Sequence, residues 1–164
     1  VNAADRFAAA VDPAMVVVTA AHGGQRDGCL VGFHGQTSIH PWRYTVWLST
    51  ANRTFRVARR ARHLMVHLLD ADDVPLAAWF GEHTGDTVDS FAGVAWRPGP
   101  DGVTPRLTGV RRWFLGRVEA RHLADGDHAA FVLSAVDAKV PVGSEAEPAL
   151  RLHDVRGLRP GHPA

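Results

Sequence analysis

Apolar and polar positions alternate along this chain in short blocks, most of them the length of a strand. Residues 15–21 (MVVVTAA) form an apolar, β-branched run that predicts a buried strand. The Gly-rich HGGQRDG suits a hairpin turn, and residues 29–33 return as a second strand. The polar HGQTSIHP ends in Pro41 and reads as an ordered loop, whereas residues 43–49 (RYTVWLS) are β-formers throughout and read as a third strand. A fourth strand is expected over 63–69, and two long ones over 110–122 and 128–136 joined by the tight turn ADGD. Helical spacing is confined to short pieces. Residues 5–11 predict a helix stopped by Pro13. Residues 52–62 predict another, with Phe55, Val57, Ala58 and Ala61 on one stripe and a solvated arginine face around it. Residues 73–80 predict a short amphipathic third, and 85–91 a turn or helix. RPGPDGVTP reads as a surface loop, and the last fifteen or so residues, polar and rich in Pro and Gly, as a loose tail.

Six or more strands with hairpin connections predict a mainly β fold with short helices. A closed barrel is the expected form, since closure removes exposed edges. Strands and helices do not alternate strictly and no GxGxxG follows the first strand, which argues against a doubly wound parallel sheet. The length of 164 residues suits one domain, with a core over about 7–155, and no repeat or linker is visible.

Composition narrows the partners. A net charge of +1 provides no concentrated basic face, so nucleic acid is not the expected partner. Lys139 is the only lysine, a bias that genome base composition explains more simply than phosphate binding does. No run approaches the roughly 20 apolar residues of a membrane span, and VNAADRF lacks the basic-then-apolar order of a signal peptide. Cys29 is the only cysteine, which excludes an internal disulfide and a cysteine cluster for zinc and fits a reducing cytoplasm. Inside the apolar CLVGF it reads as a core residue rather than a nucleophile.

Candidate chemistry is sparse. His63 and His67 are four apart, but no HExxH accompanies them, and His67 reads as a core or interface histidine; no metal site is expected. Ser38, Ser49, Ser90 and Ser134 are nucleophiles by type only, since none lies in GxSxG. The polar stretches on either side of the third strand, QTSIHP and STANRT, are more informative. Their hydroxyl and amide groups suit the ribityl chain and phosphate of a flavin, with Arg53 supplying charge. The same residues suit two ordinary capping loops, with Thr50 or Asn52 capping the next helix. The residues alone do not choose between these readings.

Taken in order, these stretches resemble the flavin reductase-like family, which has the FMN-binding split β-barrel fold and includes the small reductase components of two-component flavin monooxygenases. The resemblance runs from about Phe7 to Val136. It is carried by PAMVVVTA, then DG and VG, then QTSIHPW, ANRT, LMVHLL, DSF and GDHAAFVLSAV. It implies that Gly35, Gln36, Thr37 and Ser38 line the flavin, and that Ser49, Thr50, Asn52, Arg53 and Thr54 hold its ribityl chain and phosphate. It places His128 beside the flavin ring where the nicotinamide docks. The implied activity is hydride transfer from NADH or NADPH to FMN, with FAD the alternative flavin, by a cytoplasmic homodimer that supplies a flavin-dependent monooxygenase. The competing readings are a split-barrel oxidoreductase that uses a deazaflavin or another donor, and a non-catalytic flavin- or haem-binding module. Trp42 stands where the family's second proline falls, the family's Thr-x-x-Ser is shortened to the region of His34 and Gly35, and Ser90 replaces the lysine of Asp-Lys-Phe. A homodimer is also expected because Trp47, Leu64, Val66 and Leu68 are more large apolar side chains than a small barrel's inner face hides.

Overall fold

The computed structural model describes residues 1–123 and 125–159; Ala124 of the expected ADGD turn and residues 160–164 of the expected tail lie outside the described residues. Helix α1 (Ala3–Val11) starts earlier than the apolar spacing predicts because Asn2 caps it. The Asn2 side chain accepts from the Asp5 N–H, and the Asp5 carboxylate accepts from the Asn2 N–H. Strands β1 (Val16–His22) and β2 (Gln25–Val31) follow as a hairpin about Gly23 and Gly24, both with positive φ. Most of the stretch expected as a turn is therefore strand.

The other strands of the main sheet are β3 (His34–Ser38), β4 (Arg43–Ser49), β5 (His63–Leu68), β8 (Arg112–Leu123) and β9 (His128–Lys139). Their order is β2-β1-β5-β8-β9-β4-β3, antiparallel at every pairing. The two ends of that order are consecutive in the chain, because β3 follows β2 after Gly32 and Phe33. The sheet thus curls until the continuation of β2 runs beside β4, where the Trp47 N–H donates to the Phe33 carbonyl at 2.9 Å. The result is the expected mainly β barrel, with a seam at Gly32 and Phe33.

Burial explains the pattern along β1. Val16, Val18 and Ala20 enter the barrel interior with Cys29, Leu48 and Phe131. Met15 and Val17 enter a second core outside it, with Phe80, Leu107 and Leu150. A strand apolar on both faces is what a continuous apolar run encodes. The inside of the barrel also takes Leu64 and Val66, so these two do not form an outer apolar face, contrary to the expectation that linked them to a dimer.

Helix α2 (Arg53–Ala58) is capped by Asn52 and is shorter than predicted, its buried Val57 and Ala58 covering the barrel. Arg56, Arg59 and Arg60 are exposed, as a solvated face should be. Helix α3 (Val74–Glu82) presents Ala77 and Phe80 to the outer core. Three stretches are more ordered than their polar composition suggests. HGQTSIHP contains β3, whose backbone pairs with β4 although Gln36 and Thr37 stay exposed. RPGPDGVTP lies in a small hairpin of β6 (Trp96–Pro98) and β7 (Pro105–Leu107), tied to β1 by the Thr19 hydroxyl donating to the Pro105 carbonyl at 2.5 Å. The expected tail is packed through Leu158. Leu150 is buried and pinned by backbone bonds to Met15 and Leu69, and α4 (Leu152–Val155) follows it. No helix among the described residues is long and apolar enough to cross a membrane.

Candidate functional site

The seam leaves a cavity of about 380 Å³ in the barrel wall. Phe33 and Trp47 line it from the seam itself, Ser49 and Asn52 from the turn after β4, and Asp127 and His128 from the start of β9. Its far side is closed by Gly81, His83 and the tail residues Leu152, Val155 and Leu158. A larger open groove of about 500 Å³ beside α3 is lined by groups such as Pro75, Leu76, Trp79 and Val94 and holds no titratable side chain. A third cavity, of about 410 Å³, has Tyr44, Arg112 and Glu145 among its lining residues, but of the candidate cofactor-binding and catalytic residues only Ser49, Asn52 and His128 line a cavity, and it is the one at the seam.

Strand register brings the polar groups together. Ser49 is opposite His128 in the β4–β9 ladder. One residue on, the Thr50 N–H and hydroxyl both donate to the Asp127 carbonyl, at 2.9 and 3.1 Å, fastening the two turns to each other. The His128 ring packs against Phe33, with centroids 5.0 Å apart, and its Nδ1 is 2.6 Å from the Asp127 carboxylate. That bond holds the Asp127 carboxyl below the usual carboxylate range. An ionised carboxylate only accepts, so Nδ1 carries a proton and Nε2 is left for a ligand.

Asn52 has two roles. Its Oδ1 accepts from the Thr54 N–H at 3.2 Å and so caps α2, while its amide N–H groups remain for the cavity. Both readings of STANRT, as cap and as ligand-facing turn, are thus compatible with one geometry. Arg53 sits behind the turn; its Nη1 donates to the Arg26 carbonyl at 3.3 Å and is 3.9 Å from Asp27. Thr54 is fully buried, and its hydroxyl donates to the Asp27 carboxylate at 3.1 Å, which also accepts from the Ser90 hydroxyl. Thr54 therefore faces Asp27 and not the cavity.

Of the residues singled out from sequence, Ser49, Asn52 and His128 share one cavity, and Thr50 and Arg53 brace it. Gly35, Gln36, Thr37 and Ser38 lie along edge strand β3, outside the cavity walls. There the Thr37 hydroxyl meets that of Thr45 at 2.8 Å, and the Gln36 amide donates to the Ser38 carbonyl at 3.2 Å. Sequence reasoning missed Asp27, Phe33, Trp47, His83 and Asp127. Asp127, next to His128, and Asp27, in the DG stretch, had local signals; Phe33 and Trp47 are brought in by the seam and His83 by α3. Cys29 also touches the cavity, but burial pushes its thiol up to about 12, so it is not a thiolate nucleophile. Both ring nitrogens of His67 are engaged, by the Val17 carbonyl and the Leu107 N–H, and none is left for a metal.

Flat apolar walls, a hydroxyl, an amide and an imidazole edge within a volume ordinary for a small-molecule site suit a planar heterocycle with a polar side chain. Comparison with known proteins agrees. The family model for the Flavin reductase like domain matches residues 8–160. The reductase component of 4-nitrophenol 4-monooxygenase/4-nitrocatechol 2-monooxygenase from Rhodococcus opacus is 31% identical over 145 residues, which is 87% of this chain and 72% of that protein. Two solved structures share the fold at lower identity. The NADH:FAD oxidoreductase of Streptomyces globisporus matches with a TM-score of 0.73 at 21% identity, over 87% of each chain. A protein from Sinorhizobium meliloti matches with a TM-score of 0.74 at 23% identity over 89% of this chain, which spans about half, 49%, of its length.

Proposed function

The chain belongs to the Flavin reductase like domain family and is a flavin reductase, and from that premise we propose that its seam cavity holds FMN for reduction by NADH or NADPH. One observation carries the reading. Closure of the barrel at Gly32 and Phe33 brings the hydroxyl of Ser49, the amide of Asn52 and the imidazole of His128 to one cavity with Phe33 and Trp47 as apolar walls.

Flavin, when bound, supplies the hydride-accepting chemistry; the protein supplies binding, orientation and exclusion of water. Ser49 and Asn52 are suited to the hydroxyls of the ribityl chain, and Arg53, with Thr50 bracing the turn, to the phosphate. Thr54 acts at one remove, by holding α2 to Asp27. His128, oriented by Asp127, presents Nε2 at the rim and sets the position of the ring or of the nicotinamide. Gly35, Gln36, Thr37 and Ser38, on the edge strand beyond the seam, are assigned to any part of the flavin that projects from the cavity.

A homodimer is part of the proposal. Its face is the half-exposed cluster of Trp42, Tyr44 and Phe114, whose rings lie 5.3–5.9 Å apart, beside exposed Val140. The Rhodococcus relative supports a flavin-dependent monooxygenase as the consumer of the reduced flavin. The test is oxidation of NADH and of NADPH with added FMN and with added FAD. Flavin-dependent oxidation, fastest with FMN, is expected. Absence of oxidation in all four combinations overturns the proposal.

A further inference from the structure

The cavity has one polar wall residue that the flavin assignments leave unused. His83 follows α3 as its C-cap and lines the cavity that His128 also lines. Its ring is held on two sides. It packs on the Trp79 indole, with centroids 4.2 Å apart and planes 30° apart, and its Nδ1 is 3.0 Å from the Trp79 carbonyl. Trp79 is itself fixed, since its indole N–H donates to the Ser90 carbonyl at 2.8 Å.

This arrangement decides the tautomer. A carbonyl oxygen can only accept, so Nδ1 carries the proton, and in the neutral ring Nε2 carries the lone pair. His83 therefore offers an acceptor, on a platform anchored by two contacts, to an N–H or O–H group in the cavity. An oriented acceptor of this kind loses little entropy on binding. Hydride transfer requires a second substrate against the flavin, and a reduced nicotinamide nucleotide carries such donors in its carboxamide and ribose hydroxyls.

Building on the assignment of the cavity to flavin, we propose that His83 is a nicotinamide-binding residue, its Nε2 accepting a hydrogen bond from the carboxamide or ribose of the hydride donor. His83 would then serve the donor nucleotide, and the turn at Ser49 and Asn52 the flavin. The two sites respond separately to mutation.

The test uses the full chain with two substitutions. His83→Phe keeps the stack on Trp79 and removes the acceptor; His83→Gln returns an amide oxygen near the position of Nε2. Steady-state KM and kcat are measured with NADH and with NADPH, and FMN affinity by fluorescence titration. His83→Phe should raise KM about five- to tenfold, the scale of one neutral hydrogen bond, with kcat and FMN affinity within about twofold of the parent by the same scale. His83→Gln should recover most of the KM. An unchanged KM in His83→Phe, a parallel loss of FMN affinity, or a glutamine variant as impaired as the phenylalanine variant each overturns the proposal. A parent chain that oxidises neither nicotinamide overturns the reading of the cavity and this inference with it; an active parent matched by His83→Phe overturns this inference alone.

Discussion

His67 shows how closely a single residue can be specified by its neighbours. The Leu107 N–H donates to Nε2 at 3.0 Å, so Nε2 has no proton and Nδ1 must donate to the Val17 carbonyl at 3.0 Å. Burial pushes the ring pKa down to about 4. The folded value lies below the ordinary value of about 6.5, so this contribution to stability is complete above pH 6.5 and is lost as pH falls towards 4. Its size is on the order of 3 kcal/mol. His34, held between the Tyr44 hydroxyl and the Ala14 carbonyl, is lowered by burial too and acts in the same direction. Urea unfolding should therefore show a lower midpoint at pH 5 than at pH 7.5. His67→Gln should be less stable at pH 7.5 and lose less between the two; an equal loss in both proteins would remove His67 as the source. At the cavity, His128→Ala is expected to retain FMN and to slow reduction of the bound flavin on the order of 10-fold or more, the scale of a lost positioning contact. Stopped-flow reduction at saturating nicotinamide measures it, and a rate equal to the parent's contradicts the role.

Elements were legible where side-chain pattern and backbone pairing coincide. The runs MVVVTAA, RYTVWLS and HLMVHLL became β1, β4 and β5 with shifts of at most one residue at an end. β3 was not legible because the β4 backbone holds it in the ladder, while its Gln36 and Thr37 remain in solvent and leave no apolar alternation. The tail was not legible because its few apolar residues, Leu150, Leu152, Val155 and Leu158, are thinly spread among polar ones and bury against distant parts of the chain. The same logic holds for the site. Ser49, Asn52 and His128, which line the cavity, stand in stretches that carry or adjoin the family resemblance, whereas Phe33 joins them only because the barrel closes there. The turn into α2 separates two effects that sequence alone merges. Asn52→Ala should weaken FMN binding and remove a helix cap worth about 1 kcal/mol. Thr54→Ala should leave the Asp27 carboxylate short of a buried donor and cost about 1–3 kcal/mol, with less effect on FMN. Fluorescence titration and urea unfolding of the two single variants check this; a Thr54 variant that lost affinity without losing stability would return Thr54 to the flavin.

At the scale of the whole molecule, closure of the barrel at Gly32 and Phe33 brings the walls of the cavity together, while β3 remains an edge strand. The tail completes that cavity from outside, held by the backbone bonds of Leu150 to Met15 and Leu69 and by the Leu152 N–H donating to the Pro13 carbonyl; the segment before it is fastened by Arg112, whose buried guanidinium donates to the carbonyls of Ser144 and Glu147 and to the Asp70 carboxylate. The proposed dimer rests on Trp42, Tyr44 and Phe114, since Leu64 and Val66 are spent on the interior. Light scattering at micromolar concentration should give twice the chain mass of 17.7 kDa, and the single-chain mass would contradict the dimer. The location of the flavin is the claim on which the rest depends, and diffraction from crystals grown with FMN tests it most directly. Density for the isoalloxazine at the seam, in contact with Phe33, Trp47 and His128 and with the ribityl chain running to Ser49 and Asn52, is the result the account predicts. Ordered flavin anywhere else on the barrel, with the seam empty, would contradict it.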